Sequence, residues 1–201
     1  MAEPGRPRRP VFLDAAAMEE HGEVVDPVQQ IEAAHQSAAV LVGTGRAAHD
    51  PEVTARLVAL VEQVGLSTVA DLWSERPARS LPGALWRLYA LREWVRQAPL
   101  EASREYAAGV RHTVVSHAVA GAAEPPGPDE LAELLDAVLR GVFEGDLAVA
   151  LERAAAFCRV VSAGRADVTE GQAPADQAAS LLETAADLDA AAALWRQDRL
   201  V

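Results

Sequence analysis

Leu81-Pro82-Gly83-Ala84-Leu85-Trp86-Arg87-Leu88-Tyr89-Ala90-Leu91-Arg92-Glu93-Trp94-Val95-Arg96 is the stretch on which the fold of this chain turns. At about 100° per residue, Leu81, Leu85, Leu88, Tyr89, Leu91 and Val95 share one arc of a helix, and Trp86, Ala90 and Trp94 share the opposite arc. A helix apolar on two sides has to be covered on both, by the rest of its chain or by a partner. With Trp73 just ahead of it, the region holds three of the four tryptophans and one of the two tyrosines. The flanking sequence has the pattern of amphipathic helices assembled around this centre. The expected fold is all-α: one domain of about seven or eight helices, with a disordered N-terminal tail.

Composition agrees with that class. A chain of 201 residues fits one domain, and folding at that size buries about 70% of the extended-chain surface. Half the residues are hydrophobic but only 4% are aromatic. Alanine, leucine and valine therefore fill most of the core, and alanine enters a helix at the least entropic cost. All 18 basic residues are arginine, and lysine and asparagine are absent, which points to a high-GC bacterial genome. Against 30 acidic residues the net charge is −12. That balance argues against binding a phosphate backbone. Cys158 is alone, so no internal disulfide forms. No apolar run approaches the roughly 20 residues of a membrane span. No signal-peptide core precedes Asp14, so a cytoplasmic protein is expected.

Residues 1–26 are expected to be a flexible tail, basic and proline-rich at first and then acidic, and residues 27–201 a helical domain. Asp26-Pro27 is the first helix start, a capping carboxylate followed by a proline preset for the first turn. The first helix is expected to reach about Val42, with Val28, Ile31, His35, Ala38 and Val42 along one stripe and Gly43-Thr44-Gly45 as its stop. Asp50-Pro51 opens a second, buried along Val53, Leu57, Leu60, Val61 and Val64 and stopped at Gly65. Ser67 or Thr68 should cap a short helix through Trp73, and Arg76 to Pro82 should connect into the central one. After Gln97-Ala98-Pro99 a further helix is expected from about Leu100 to Val119. Gly121 to Pro128 is the strongest linker signal and separates sub-parts 27–120 and 129–201.

Beyond it, Leu131, Leu134, Leu135, Val138, Leu139 and Val142 should face inward, and Glu133, Asp136, Arg140 and Glu144 outward. Gly145-Asp146 turns directly into a helix from Leu147 to Ala163, which implies an antiparallel hairpin. That helix is again apolar on two sides. Gly164 to Pro174 should be a polar loop, and Ala175 to Arg196 the last helix, with Leu181, Ala185, Leu188, Ala192 and Trp195 as its stripe.

Signals for chemistry are weak. Gly43-Thr44-Gly45-Arg46-Ala47-Ala48 matches a dinucleotide-loop pattern, but a helix start follows too soon and no strand precedes it. His112 and His117 lie five apart, about 140° on a helix, and cannot easily share an ion. One buried, hydrogen-bonded histidine and one exposed histidine are expected instead. Cys158 sits among apolar neighbours and should be packing. Glu133 with Asp136, and Asp187 with Asp189, should be solvated surface. Arg92 is different, because it falls in the middle of the apolar arc. An unpaired buried guanidinium is very costly, so a carboxylate or an anion must meet it. Glu152, on the other two-sided helix, is the expected partner. No metal site, cofactor or catalytic set is expected. The residues proposed for ligand or partner contact are Trp86, Tyr89, Arg92, Trp94, Arg96 and His117.

Ala70-Asp71-Leu72-Trp73-Ser74, Leu81 to Tyr89, Pro125 to Asp129 and Phe143 to Cys158 together resemble a family of small uncharacterised actinobacterial proteins. Some members carry the label of an RNA polymerase β subunit. The resemblance covers about residues 53–165 and implies neither an activity nor functional residues. A β subunit is several times longer and has basic segments without counterpart in this chain.

The function expected is that of a non-enzymatic helical protein acting through protein contacts, as an accessory or regulatory factor. The alternative is a helical bundle that binds or transforms a small molecule in an anion-accepting pocket near Arg92, Tyr89 and His117. A transcription-associated role is more remote. A packed, salt-bridged Arg92 with exposed apolar surface elsewhere separates the first from the second.

Overall fold

Capping chemistry sets the first boundaries. The computed structural model describes residues 26–122, 127–168 and 171–201. The Asp26 carboxylate accepts from the backbone N–H of Val28 at 3.0 Å, and Pro27 opens α1 (Pro27–Ala48). Asp50 and Pro51 do the same for α2 (Pro51–Val58), with the N–H of Glu52 donating to Asp50 at 2.8 Å. Then follow α3 (Leu60–Val64), α4 (Leu66–Trp73), α5 (Leu81–Gln97), α6 (Pro99–Val110) and α7 (Val114–Ala120). α8 (Pro128–Glu144), α9 (Leu147–Val168) and α10 (Gln172–Arg196) complete the chain. Asp146 caps α9 by accepting from the N–H of Ala148 at 2.8 Å. The described residues contain no strand, and the fold is all-α, in one domain.

α9 is the most enclosed helix. α10 runs along one side of it, and α6, α7 and α8 cover the others. Leu147, Ala150, Leu151, Ala154, Phe157, Cys158 and Val161 are buried, and so are Ala156 and Val160 on the opposite face. α5 is enclosed by a different set: α8, α1, α4, α10 and α6. The two helices barely touch, and they meet through Trp94 and Phe157, whose ring centroids are 6.5 Å apart. One buried cluster runs from Ala34 to Leu200, so helices on both sides of residues 121–128 share a core.

Helices α6 and α9 meet backbone to backbone. A Cβ placed on Gly164 would fall inside the carbonyl oxygen of Glu105 and 2.7 Å from the nitrogen of Gly109. One placed on Gly109 would overlap the carbonyl of Val160. Only glycine lets two helix backbones approach this closely.

Several boundaries differ from the sequence expectation. α1 does not stop at Gly43 but continues to Ala48, and it buries Ala34, Ala38, Val42 and Gly45 while Val28 and Ile31 stay exposed. Gly45 is no turn residue: an added Cβ would lie 2.8 Å from Phe143, so the glycine seats that ring. The expected second helix breaks at Ala59, where the Tyr89 hydroxyl donates to Leu57 O at 2.6 Å and the Gln63 amide donates to Arg56 O at 3.0 Å. These side chains take carbonyls that a continuous helix would use. The expected helix from Leu100 to Val119 breaks at residues 111–113, where the Thr113 hydroxyl donates to Gly109 O at 2.7 Å. α9 runs through Gly164 to Val168, and Pro174 lies inside the first turn of α10 rather than in a loop. Ser67 and Thr68 also lie within α4, whose first residue follows Gly65 at φ 86°. The tail expected over residues 1–26, apart from Asp26, lies outside the described residues, as do residues 123–126 of the linker.

Candidate functional site

Arg92 sits on the arc of α5 that faces α3 and α8, among Leu85, Leu88 and Tyr89. It is 3% exposed. Its Nε donates to Asp136 at 2.6 Å and its Nη1 to Glu62 at 2.8 Å. Arg96, mostly in solvent, lies 3.4 Å from the same Glu62. The expected partner, Glu152, is elsewhere: it accepts from Arg196 at 2.7 Å. The arc that carries Arg92 faces α8 rather than α9, which puts Glu152 out of reach. Asp136, expected as solvated surface, is half-buried and holds the ion pair instead.

Burial alone would lower the Arg92 pKa, but hydrogen bonds to Asp136 and Glu62 outweigh it and raise the pKa. Burial likewise pushes Glu62 up, and the Arg92 hydrogen bond, a backbone hydrogen bond and the charges of Arg92 and Arg96 together more than reverse that, leaving it below the usual carboxylate range. Tyr89, its hydroxyl bound to Leu57 O, is raised by burial. The anion-accepting position at Arg92 is thus filled by the protein's own carboxylates.

His117 belongs to another place. It is buried on α7 with its Nδ1 3.1 Å from the Tyr106 hydroxyl, and the two rings meet edge to face. Tyr106 stacks in turn on Phe157 at 5.5 Å, and burial lifts its pKa to about 12. His112 is exposed in the turn before α7, its Nε2 3.6 Å from Asp167. The six proposed contact residues are therefore dispersed. Arg92 pairs with Glu62 and Asp136, Arg96 meets the same Glu62 from the surface, and Tyr89 is bound to Leu57 O instead. His117 pairs with Tyr106. Trp86 and Trp94, both half-buried, line a cavity of about 370 Å³ between α5 and α10.

A buried ion pair escaped the sequence reading. Arg165 donates through Nε and Nη2 to the two carboxylate oxygens of Glu105, both at 2.8 Å, and its guanidinium lies 5.2 Å from the Trp94 ring centre. The periodic signal was present. Glu105 follows Ala102 and precedes Gly109 by helical steps, and Arg165 follows Cys158 and Val161 in the same way. Ending the helix at Gly164 concealed it.

A second cavity, about 500 Å³ and mostly apolar, opens between α7, α9 and α10, where Ser116, Ala163, Ala166, Ala175, Ala179 and Leu182 line it. Among the described residues no group of three His, Cys, Asp or Glu side chains could hold a metal ion. Among them, too, no helix is long and apolar enough to cross a membrane. The Gly43–Ala48 motif lies inside α1, without the strand-to-helix turn that would aim amides at a phosphate. Cys158 is fully buried, and burial pushes its thiol up to about 12. Comparison with protein-family models, curated proteins and solved structures gives no match for this chain.

Proposed function

We propose that this protein is a cytoplasmic, non-enzymatic accessory factor that acts by holding an amphipathic helix of a partner protein in the groove between α7, α9 and α10. The supporting observation is the groove itself: about 500 Å³, floored by alanines, with Leu182 52% exposed at its edge. On α7, Val115 and Val119 share a face one helical step apart, to one side of the groove-lining Ser116, and are 78% and 48% exposed. Clustered exposed apolar side chains of this kind mark interaction sites, and an alanine floor lets a partner helix approach closely. Beside the groove α10 carries Asp176 and Glu183, neither of them in a salt bridge among the described residues, while Arg159 in the lining is neutralised by Asp189. The partner helix therefore has a small-to-branched apolar stripe bordered by arginine or lysine. The self-neutralised Arg92 cluster favours this reading over an anion pocket at that residue.

The test combines affinity capture on the full chain with amide-exchange footprinting. Leu182→Asp should abolish retention of the partner, and Val28→Asp, on the exposed first turn of α1, should not. Protection on binding should fall on residues 113–119, 159–166 and 175–182. A partner retained equally by Leu182→Asp, or a footprint elsewhere, would refute the assignment.

A further inference from the structure

We propose that the cavity between α5 and α10 binds a small, flat aromatic carboxylate, its ring set between the Trp86 and Trp94 indoles and its charge against Arg87. The site is built by spacing. Trp86 and Trp94 are eight residues apart on one helix, which separates them by about 12 Å along the axis. Ala90, midway between them, leaves the slot open, and Leu91, Leu181 and Thr184 complete its lining. At about 370 Å³ the cavity stands at the small end of ligand sites, where a molecule of one or two fused rings fits. Neither indole N–H has a hydrogen-bond partner among the described residues.

The charge of the ligand follows from the two arginines in the lining. Arg165 spends Nε and Nη2 on Glu105 and is fixed over the Trp94 ring, and its Nη1 makes no hydrogen bond to the described residues. Arg87 donates through Nη1 to Gly83 O at 2.9 Å, while its Nη2 is 3.8 Å from Asp187. That carboxylate lies nearer to Arg79, at 3.1 Å. Burial pulls the Arg87 guanidinium below its ordinary range, and Asp187 restores only part of the loss. An under-compensated guanidinium in a cavity also lined by two indoles selects a planar anion, since an aromatic contact and a charge-assisted hydrogen bond can be made together. On α10, Leu181 and Thr184 lie on one flank of the buried stripe, and Ala175, Ala179 and Leu182 lie on the other. This site and the partner groove are therefore separate.

Isothermal titration of the full chain with 1-naphthoate, and with 1-naphthalenemethanol as its uncharged counterpart, tests the proposal. One-to-one saturable binding of the acid is expected. Ala90→Leu, which fills the slot, should weaken both compounds at least about tenfold with an unchanged melting curve. Arg87→Gln should weaken the acid roughly tenfold and the alcohol less than about twofold. Leu182→Asp, in the other groove, should leave both affinities unchanged, so this site and the partner groove fail or survive independently. The proposal is overturned by the absence of saturable acid binding up to about 1 mM. It is also overturned by equal loss of acid and alcohol in Arg87→Gln, or by Ala90→Leu binding as the parent does.

Discussion

Replacing Gly164 by alanine sets helix propensity directly against tertiary packing. Within a helix, glycine to alanine adds about 1 kcal/mol of stability through backbone entropy and propensity. At Gly164 the new Cβ would lie 2.6 Å from the carbonyl carbon of Glu105 and 2.7 Å from Gly109 N, and would overlap the Glu105 oxygen. All three are backbone atoms, which cannot rotate away. Ordinary carbon contacts need about 3.5–4.0 Å, so α6 and α9 must separate by roughly 1.5–2 Å. That movement would stretch the paired 2.8 Å hydrogen bonds between Arg165 and Glu105 and unstack Tyr106 from Phe157. Overpacking typically costs 1–3 kcal/mol, and loosening a buried ion pair adds to it. The net expectation is about 3 kcal/mol of lost stability, a fall in Tm of roughly 6–12 °C for a chain of this size. Gly43→Ala is the internal control. It is helical and exposed, with no atom within 4 Å of the added Cβ, and should gain about 0.5–1 kcal/mol. Urea unfolding of both variants and the parent decides the matter. A Gly164→Ala protein as stable as the parent would mean that α6 and α9 do not meet at this point.

Glu105→Gln leaves a buried guanidinium without its countercharge and should cost about 3–5 kcal/mol in urea unfolding; a loss below about 1 kcal/mol would show that water reaches the pair. Arg92→Leu should cost less, about 2 kcal/mol, because Glu62 and Asp136 keep partial access to solvent. Adding Glu152→Leu to that variant should give no rescue, since Glu152 serves Arg196. Cys158 should resist an aromatic disulfide reagent in the native protein and react once urea unfolds it, because burial holds its thiol near 12; fast native labelling would contradict the packing of α9. Stability should also fall on acidification. The folded-state pKa of Glu62 lies below its reference value of 4.5, so its contribution is complete above that pH and is lost as pH drops through the folded value. The urea midpoint of Arg92→Leu should therefore decline less steeply than the parent's below about pH 4.5.

Much of the architecture was legible because it is local. Asp26-Pro27 and Asp50-Pro51 cap helices by chemistry that acts over two or three residues, and Gly145-Asp146 is too short a connection for anything but a tight hairpin. Opposed apolar arcs on α9 announced burial on two sides, since the helical period alone decides which residues share a face, whereas on α5 one arc is buried and Trp86, Ala90 and Trp94 opposite are half-buried. The same period showed that Arg92 would be buried and had to be neutralised. It could not choose among Glu62, Asp136 and Glu152, which lie 30, 44 and 60 positions away, because that depends on which helix covers each arc. Helix breaks at Ala59 and at residues 111–113 were equally hidden. The Tyr89 hydroxyl that takes Leu57 O comes from 32 residues away, and the Gly109 contact that accompanies the second break depends on α9. Gly43, Gly45 and Gly164 look alike in sequence, each an apparent helix stop. Only the assembled molecule separates a glycine facing solvent from one that seats Phe143 and one on which two helix backbones rest, because the room left for a Cβ is set by the neighbouring helix and not by the residue's own chain neighbours.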